Sequence, residues 1–226
     1  MPETGLPGGY QVISADEAET RYGPFADVAY QFTDYADEQY IRPYEGGLHV
    51  PRDLGVQDWT DDDLCPFNVI IDGDLTVEGT LDHYCFEGTG YFHLVTGSLR
   101  ARNLILTGFP DLVVRGDLTV AGAIMGFRGD DGGYLFVEGD TSAQIVISSQ
   151  YFNMTFGRQP RAVVVADPHR TSCRVDFTDQ ELPGMLLPEL LDEDGLVDEE
   201  KLAEALAAGQ RVLRADAPPS RPAVRD

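Results

Sequence analysis

His83 and Cys85 stand two apart and His93 follows ten residues after the first, and imidazole and thiolate are the ligands that zinc and copper prefer. His93, however, falls where Val69, Leu112 and Leu135 stand in related phrases of the sequence, which predicts a packed or half-exposed wall residue rather than a ligand. Asp74, Asp117 and Asp140 each follow a glycine at matching places, and a column of carboxylates is the raw material of a calcium site. Calcium takes six or more oxygens, whereas each phrase offers one acid there and Ser98 interrupts the series. Paired acids on a solenoid groove can cleave polysaccharides, but no aromatic platform accompanies two acids on the outward positions. Arg128-Gly129-Asp130 is an adhesion-type tripeptide whose glycine and aspartate are explained by the turn they make. No GxSxG, Walker A, GxGxxG after a strand or HExxH occurs. The expectation is a non-enzymatic protein with no catalytic residues, no cofactor and no resident metal.

The elements that carry these residues are set by an internal repeat. Four phrases align on Gly73, Gly97, Gly116 and Gly139. Two before each glycine stand Ile71, Val95, Val114 and Val137; two after it, Leu75, Leu99, Leu118 and Thr141. Four after come Val77, Ala101, Val120 and Ala143, and eight after come Leu81, Ile105, Ile124 and Ile147, all read as inward. Between them Thr76, Arg100, Thr119 and Ser142, and then Glu78, Arg102, Ala121 and Gln144, are read as outward. Alternation with a period of two and β-branched enrichment predicts strands with one buried face. A repeat this short cannot bury its apolar face alone, so its copies must stack into one continuous core. The predicted fold is mainly β: a right-handed parallel β-helix, or solenoid, of about 4–6 coils. The glycines are read as bends, and the Asp or Ser after each as a local Asx or ST turn. A further coil is expected around 162–168, closed by Val175 and Phe177.

The flanks differ from the repeat. Residues 1–64 are read as an irregular, acidic, aromatic-rich N-terminal cap, residues 65–177 as the solenoid, and 178–216 as a C-terminal cap with one helix. Asp198 suits that helix's N-cap, Glu199 and Glu200 its first turn, and Gly209 its end, with 210–214 as a short edge strand. Residues 217–226, with three prolines, are expected to be disordered. Among 226 residues, 39 acids face 16 bases for a formal net charge of −23. The three stretches 1–64, 65–175 and 176–226 carry −11, −4 and −8, so the acid sits on the flanks. Such a field repels phosphate backbones and anionic lipids and speeds encounter with a basic protein. The expected partner is therefore a basic protein, not nucleic acid or membrane. Trp59 and Tyr44 would be its aromatic anchors, Asp61, Asp62 and Asp63 its acidic steering groups, and Arg100, Arg102, Arg115 and Arg128 a small basic strip of which Arg100 and Arg102 would contact the partner. Three cysteines without CxxC spacing, no apolar span and no leader-like N-terminus predict a cytoplasmic protein, monomeric or homodimeric.

The phrases from Gly73 to Leu81 and from Gly116 to Gly122 resemble the coils of bactofilins, β-helical proteins that polymerise end to end into cytoskeletal scaffolds. That resemblance implies a solenoid, and self-assembly as one functional alternative. The long aromatic segment before the repeat and the helix after it depart from the bactofilin pattern, and caps oppose polymerisation. In its acidity and lack of catalytic motifs the chain is also similar to immunity proteins that neutralise bacterial toxins, which implies binding of a basic toxin. A carbohydrate-active β-helix enzyme is the third alternative.

Overall fold

A computed structural model describes residues 12–26, 41–55, 58, 68–85, 92–127 and 133–215; the side chains of 24–26 and 84–85 lie outside that description. Strands come three to a coil: β1 (Ile41–Glu45), β2 (Leu48–Val50) and β3 (Leu54–Gly55), then β4 (Asn68–Asp72), β5 (Leu75–Val77) and β6 (Thr80–Cys85). The next two coils are β7 (Phe92–Val95), β8 (Leu99–Ala101) and β9 (Asn103–Gly108), and β10 (Asp111–Val114), β11 (Leu118–Val120) and β12 (Ala123–Phe127). After β13 (Tyr134–Val137), β14 (Thr141–Ser148) covers two faces in one long strand, and β15 (Asn153–Phe156) and β16 (Arg161–Ala166) close the stack. Each strand pairs in parallel with its equivalent in the next coil. One ladder runs β1-β4-β7-β10-β13-β15, and β14 joins the other two, β2-β5-β8-β11 and β12-β9-β6-β3. The fold is thus the parallel β-solenoid that the repeat predicts. It takes in β1 to β3 as well, strands within the stretch that its aromatic and acidic residues mark as a cap.

Alternation builds the lumen. Ile71, Val95, Val114 and Val137 stack as one inward column and Leu75, Leu99 and Leu118 as another, all at most 1% exposed. Each fully buried aliphatic side chain contributes about 1.5–3 kcal/mol relative to exposure. The third column needs correction. Leu81 pairs with Leu104, then Ile124, Val146 and Val164, while Ile105 and Ile147 stand in the neighbouring register with Asp82, Met125 and Val165. Coils starting at Gly97 and Gly139 reach the next corner one residue sooner, so Asn103 pairs with Thr80, and Ile145 with Ala123. A one-residue slip turns every following side chain to the other face. Ile105 and Ile147 therefore point outward, where they meet the C-terminal cap.

The glycine corner also works differently from a local bend. Only Gly73 of the four has a positive φ, +134°. At Gly97 and Gly116 a Cβ would lie 2.7 Å from backbone of the preceding corner glycine, and at Gly139 closer still. At Gly97, Gly116 and Gly139 coil stacking, not the turn itself, demands glycine. The Asp and Ser side chains likewise reach between coils instead of forming local turns. Asp74 Oδ1 accepts from Ser98 N at 2.7 Å, Ser98 Oγ from Asp117 N at 3.2 Å, and Asp117 Oδ1 from Asp140 N at 2.8 Å. Asp140 ends the series and accepts from Arg158 at 2.7 Å.

Both flanks pack on outer sheet faces. Helix α1 (Ala15–Ala26) brings Ala18 and Tyr22 onto Ile70, Leu94 and Val113, the outward column of the first ladder. Leu182, Met185, Leu186 and Leu190 and helix α2 (Glu199–Ala207) cover Ile105, Met125, Ile147 and Val165. Asp198 is the N-cap, accepting from Lys201 N at 3.1 Å, and Gly209 follows the helix at φ +67°. Residues 210–214 form no strand; they keep a single antiparallel bridge, Leu186 to Leu213. The strand at 161–166 and the Val165–Phe177 bridge supply the additional coil expected there. Residues 217–226 lie outside the described residues.

Candidate binding site

Arg100 in β8 and Arg102 just after it stand two residues apart, both exposed. Beyond the corner, Asn103 is 2% exposed and shares out its carboxamide. Nδ2 donates to Leu206 O at 2.6 Å and to Thr80 Oγ1 at 3.3 Å, while Oδ1 accepts from Ala123 N at 3.1 Å. This residue fastens the end of α2 to the corner. The chain then turns at Gly209 and runs back along the solenoid, leaving a crease of about 730 Å³ between 209–215 and the sheet. Its floor is apolar, formed by Ala121, Ala123, Ile145 and Val163, and Arg102, Arg211 and Arg214 border it with Gln144 and Gln210. A shallower hollow continues it past Arg102 to Arg100.

The guanidinium groups of the crease are held by carbonyls, not carboxylates. Arg102 donates to Glu78 O at 3.3 Å, Arg211 to Leu213 O at 2.7 Å and Arg214 to Leu186 O at 2.5 Å. Among the described residues none of the three has a carboxylate within ion-pair distance. Glu78 at the rim instead meets His49, 3.2 Å away. On the other side of α2 a groove of about 400 Å³ holds Asp82, Glu200 and Glu204 over Ile105 and Phe127. Burial raises the Asp82 carboxyl above its ordinary pKa.

The C-terminal cap also presents an acidic turn. Asp192 Oδ1 accepts from Asp194 N at 3.0 Å and Leu196 N at 2.9 Å, and Gly195 takes φ +78°. The turn lifts Leu196 to 61% exposure, with Glu189, Glu193 and Asp194 exposed around it. None of those three carboxylates has a cationic partner among the described residues.

Of the residues singled out from the sequence, Arg100 and Arg102 reach this surface. Tyr44 does not serve as an exposed anchor: it is 8% exposed and continues the inward column of Ile71 and Val95, because β1 is already part of the first coil. Trp59, Asp61, Asp62 and Asp63 lie outside the described residues, as does the Arg128-Gly129-Asp130 loop. Arg115 pairs with Glu138 at 2.9 Å. His83 and His93 do meet, edge to face with centroids 4.0 Å apart, at 0% and 2% exposure. Burial lowers the His83 imidazole to about 3, and His93 falls well below 6.5 through burial and the neighbouring ring. The pair is neutral at ordinary pH. The Cys85 side chain lies outside the described residues, and among those described no group of three His, Cys, Asp or Glu side chains could hold a metal ion. No helix there is long and apolar enough to cross a membrane.

Asn103, Arg211 and Arg214 are the residues that sequence reasoning missed. Arg211 and Arg214 are far from the repeat in sequence and carry no motif. A signal did exist for the sheet face that the C-terminal cap covers: Leu104-Ile105-Leu106 and Val163-Val164-Val165 are apolar without alternation, the mark of strands buried on both faces. Comparison with protein-family models, with curated proteins and with solved structures finds no match to this chain.

Proposed function

We propose that this chain is a non-enzymatic binding protein in which a stiff solenoid displays an acidic cap to a basic protein partner, the arrangement an immunity protein needs to neutralise a cationic toxin. The observation that carries the reading is the turn at 192–196, where Leu196, the most exposed large apolar side chain among the described residues, stands among carboxylates that no described cation neutralises. An apolar anchor ringed by charge suits a partner of opposite sign, with the charges steering encounter and the anchor slowing release. The chain's net charge of −23 extends the same field over its surface. The bactofilin-like alternative, polymerisation through open ends, is less favoured, since Thr171 and Phe177 bridge to β15 and β16 at the last coil.

The test is titration with the product of a toxin-like reading frame adjoining the gene. Glu189→Gln, Glu193→Gln and Asp194→Asn combined should slow association about tenfold or more at low salt and flatten its salt dependence. Asp192 is left in place because it builds the turn. Binding that ignores both salt and the triple variant would overturn the reading.

A further inference from the structure

Most of the other arginines among the described residues are neutralised. Arg21, Arg52, Arg115, Arg158 and Arg174 each meet a carboxylate within 3.6 Å. Among the described residues Arg100, Arg102, Arg211 and Arg214 have no carboxylate within ion-pair distance, as Arg170 over the Tyr151 ring has none, and these four border the crease or its shallow continuation. Among the described residues no carboxylate lines the crease itself.

We propose that the crease binds a small phosphate-bearing molecule, its phosphate on Arg102 and Arg211 and its less polar body on Ala121, Ala123, Ile145 and Val163. Guanidinium is a planar fork that matches phosphate oxygens two at a time. Three such charges in one crease exceed what a single carboxylate balances and suit a phosphate ester or diphosphate, which carries about two negative charges or more at neutral pH. The opening of about 730 Å³ lies within the roughly 300–1,000 Å³ typical of small-ligand sites. A nucleic-acid strand is disfavoured by the overall charge of −23, whose field acts along the whole length of a polyanion. The crease and the acidic turn are different surfaces, so this site stands independently of the partner reading above.

Calorimetric titration of the full chain with inorganic pyrophosphate tests the proposal, with citrate as the polycarboxylate control. Pyrophosphate should saturate one site with a Kd below about 1 mM at low ionic strength, and citrate should bind at least about tenfold more weakly. Arg102→Gln and Arg211→Gln should each lower pyrophosphate affinity about tenfold, while Arg158→Gln, whose guanidinium sits on Asp140, should leave it unchanged. Should a glutamine variant melt early, Arg102→Lys or Arg211→Lys keeps the charge, loses the fork and is expected to lose affinity as well. Arg214 holds the Leu186 carbonyl and is left intact. Absence of saturable pyrophosphate binding, equal binding by the Arg102→Gln/Arg211→Gln double variant, or citrate binding as tightly as pyrophosphate would each overturn the proposal.

Discussion

At the glycine corner and at the crease beside α2, the same protein treats its polar side chains in opposite ways. Along the corner, Asp74, Ser98 and Asp117 each give an oxygen to the backbone N–H of the next coil, and Asp140 is met by Arg158. Every group there is consumed by the fold. Along the crease, Arg102, Arg211 and Arg214 are steadied by carbonyl oxygens and keep their charge available. The difference teaches that the repeat satisfies itself, and that recognition belongs to the places where another element lies across it.

Breaking the corner should give the largest effect. Gly97→Val places a Cβ within 2.7 Å of the Gly73 backbone, which no side-chain rotation can relieve. A loss of about 3 kcal/mol or more is expected in denaturant unfolding, if the variant folds at all. Gly184→Ala is the matched control in the cap: no atom lies within 4 Å of its Cβ position, and stability should stay within about 0.5 kcal/mol of wild type.

Asn103 joins the two regions, and Asn103→Leu sharpens the comparison. It leaves the Ala123 N–H and the Leu206 carbonyl without their buried partner, which costs about 2 kcal/mol. Hydrogen exchange should rise in 199–215 far more than in the strands 68–85. Uniform loosening of both would show that the cap and solenoid do not separate.

The last effect is absent at neutral pH, appears only in acid and concerns the lumen. His83 and His93 are held neutral, with His83 at about 3 and His93 well below 6.5, so the unfolded chain takes up protons that the folded one refuses. Their contribution is therefore complete above about pH 6.5 and is lost as pH falls below it, toward about 3 for His83, with a slope of at most about 1.4 kcal/mol per pH unit for each imidazole. His93→Leu, which matches Leu112 in the same column, should flatten the dependence between pH 6.5 and 5. An unchanged slope in the variant would mean that carboxylates alone set the acid response.

The glycine spacing and its alternating columns made the solenoid legible before any coordinates, since apolar ladders with a period of two admit few other packings. Helix α2 was legible for the same kind of reason: Asp198 and Gly209 are local signals that act on their own neighbours. The outward turn of Ile105 and Ile147 was not legible, because it depends on one residue missing from a corner, and a fixed offset from glycine carries no record of that. Tyr44 was misplaced for a different reason: Tyr44-Glu45-Gly46-Gly47-Leu48-His49-Val50 is a further copy of the glycine phrase, hidden by the aromatic and acidic residues around it, and its pairing with β4 and β5 turns the ring inward.

What the sequence determined by itself is the kind of molecule: a stacked parallel β-solenoid with acidic flanks, because burial period and charge are local properties written residue by residue. Which polar groups remain free was decided only in three dimensions. Asp74 and Arg102 look equally available in the sequence, yet one is used up by the next coil and the other faces a crease made by residues more than a hundred positions away. Availability is a property of what packs beside a residue, and the chain brings those neighbours together only by folding.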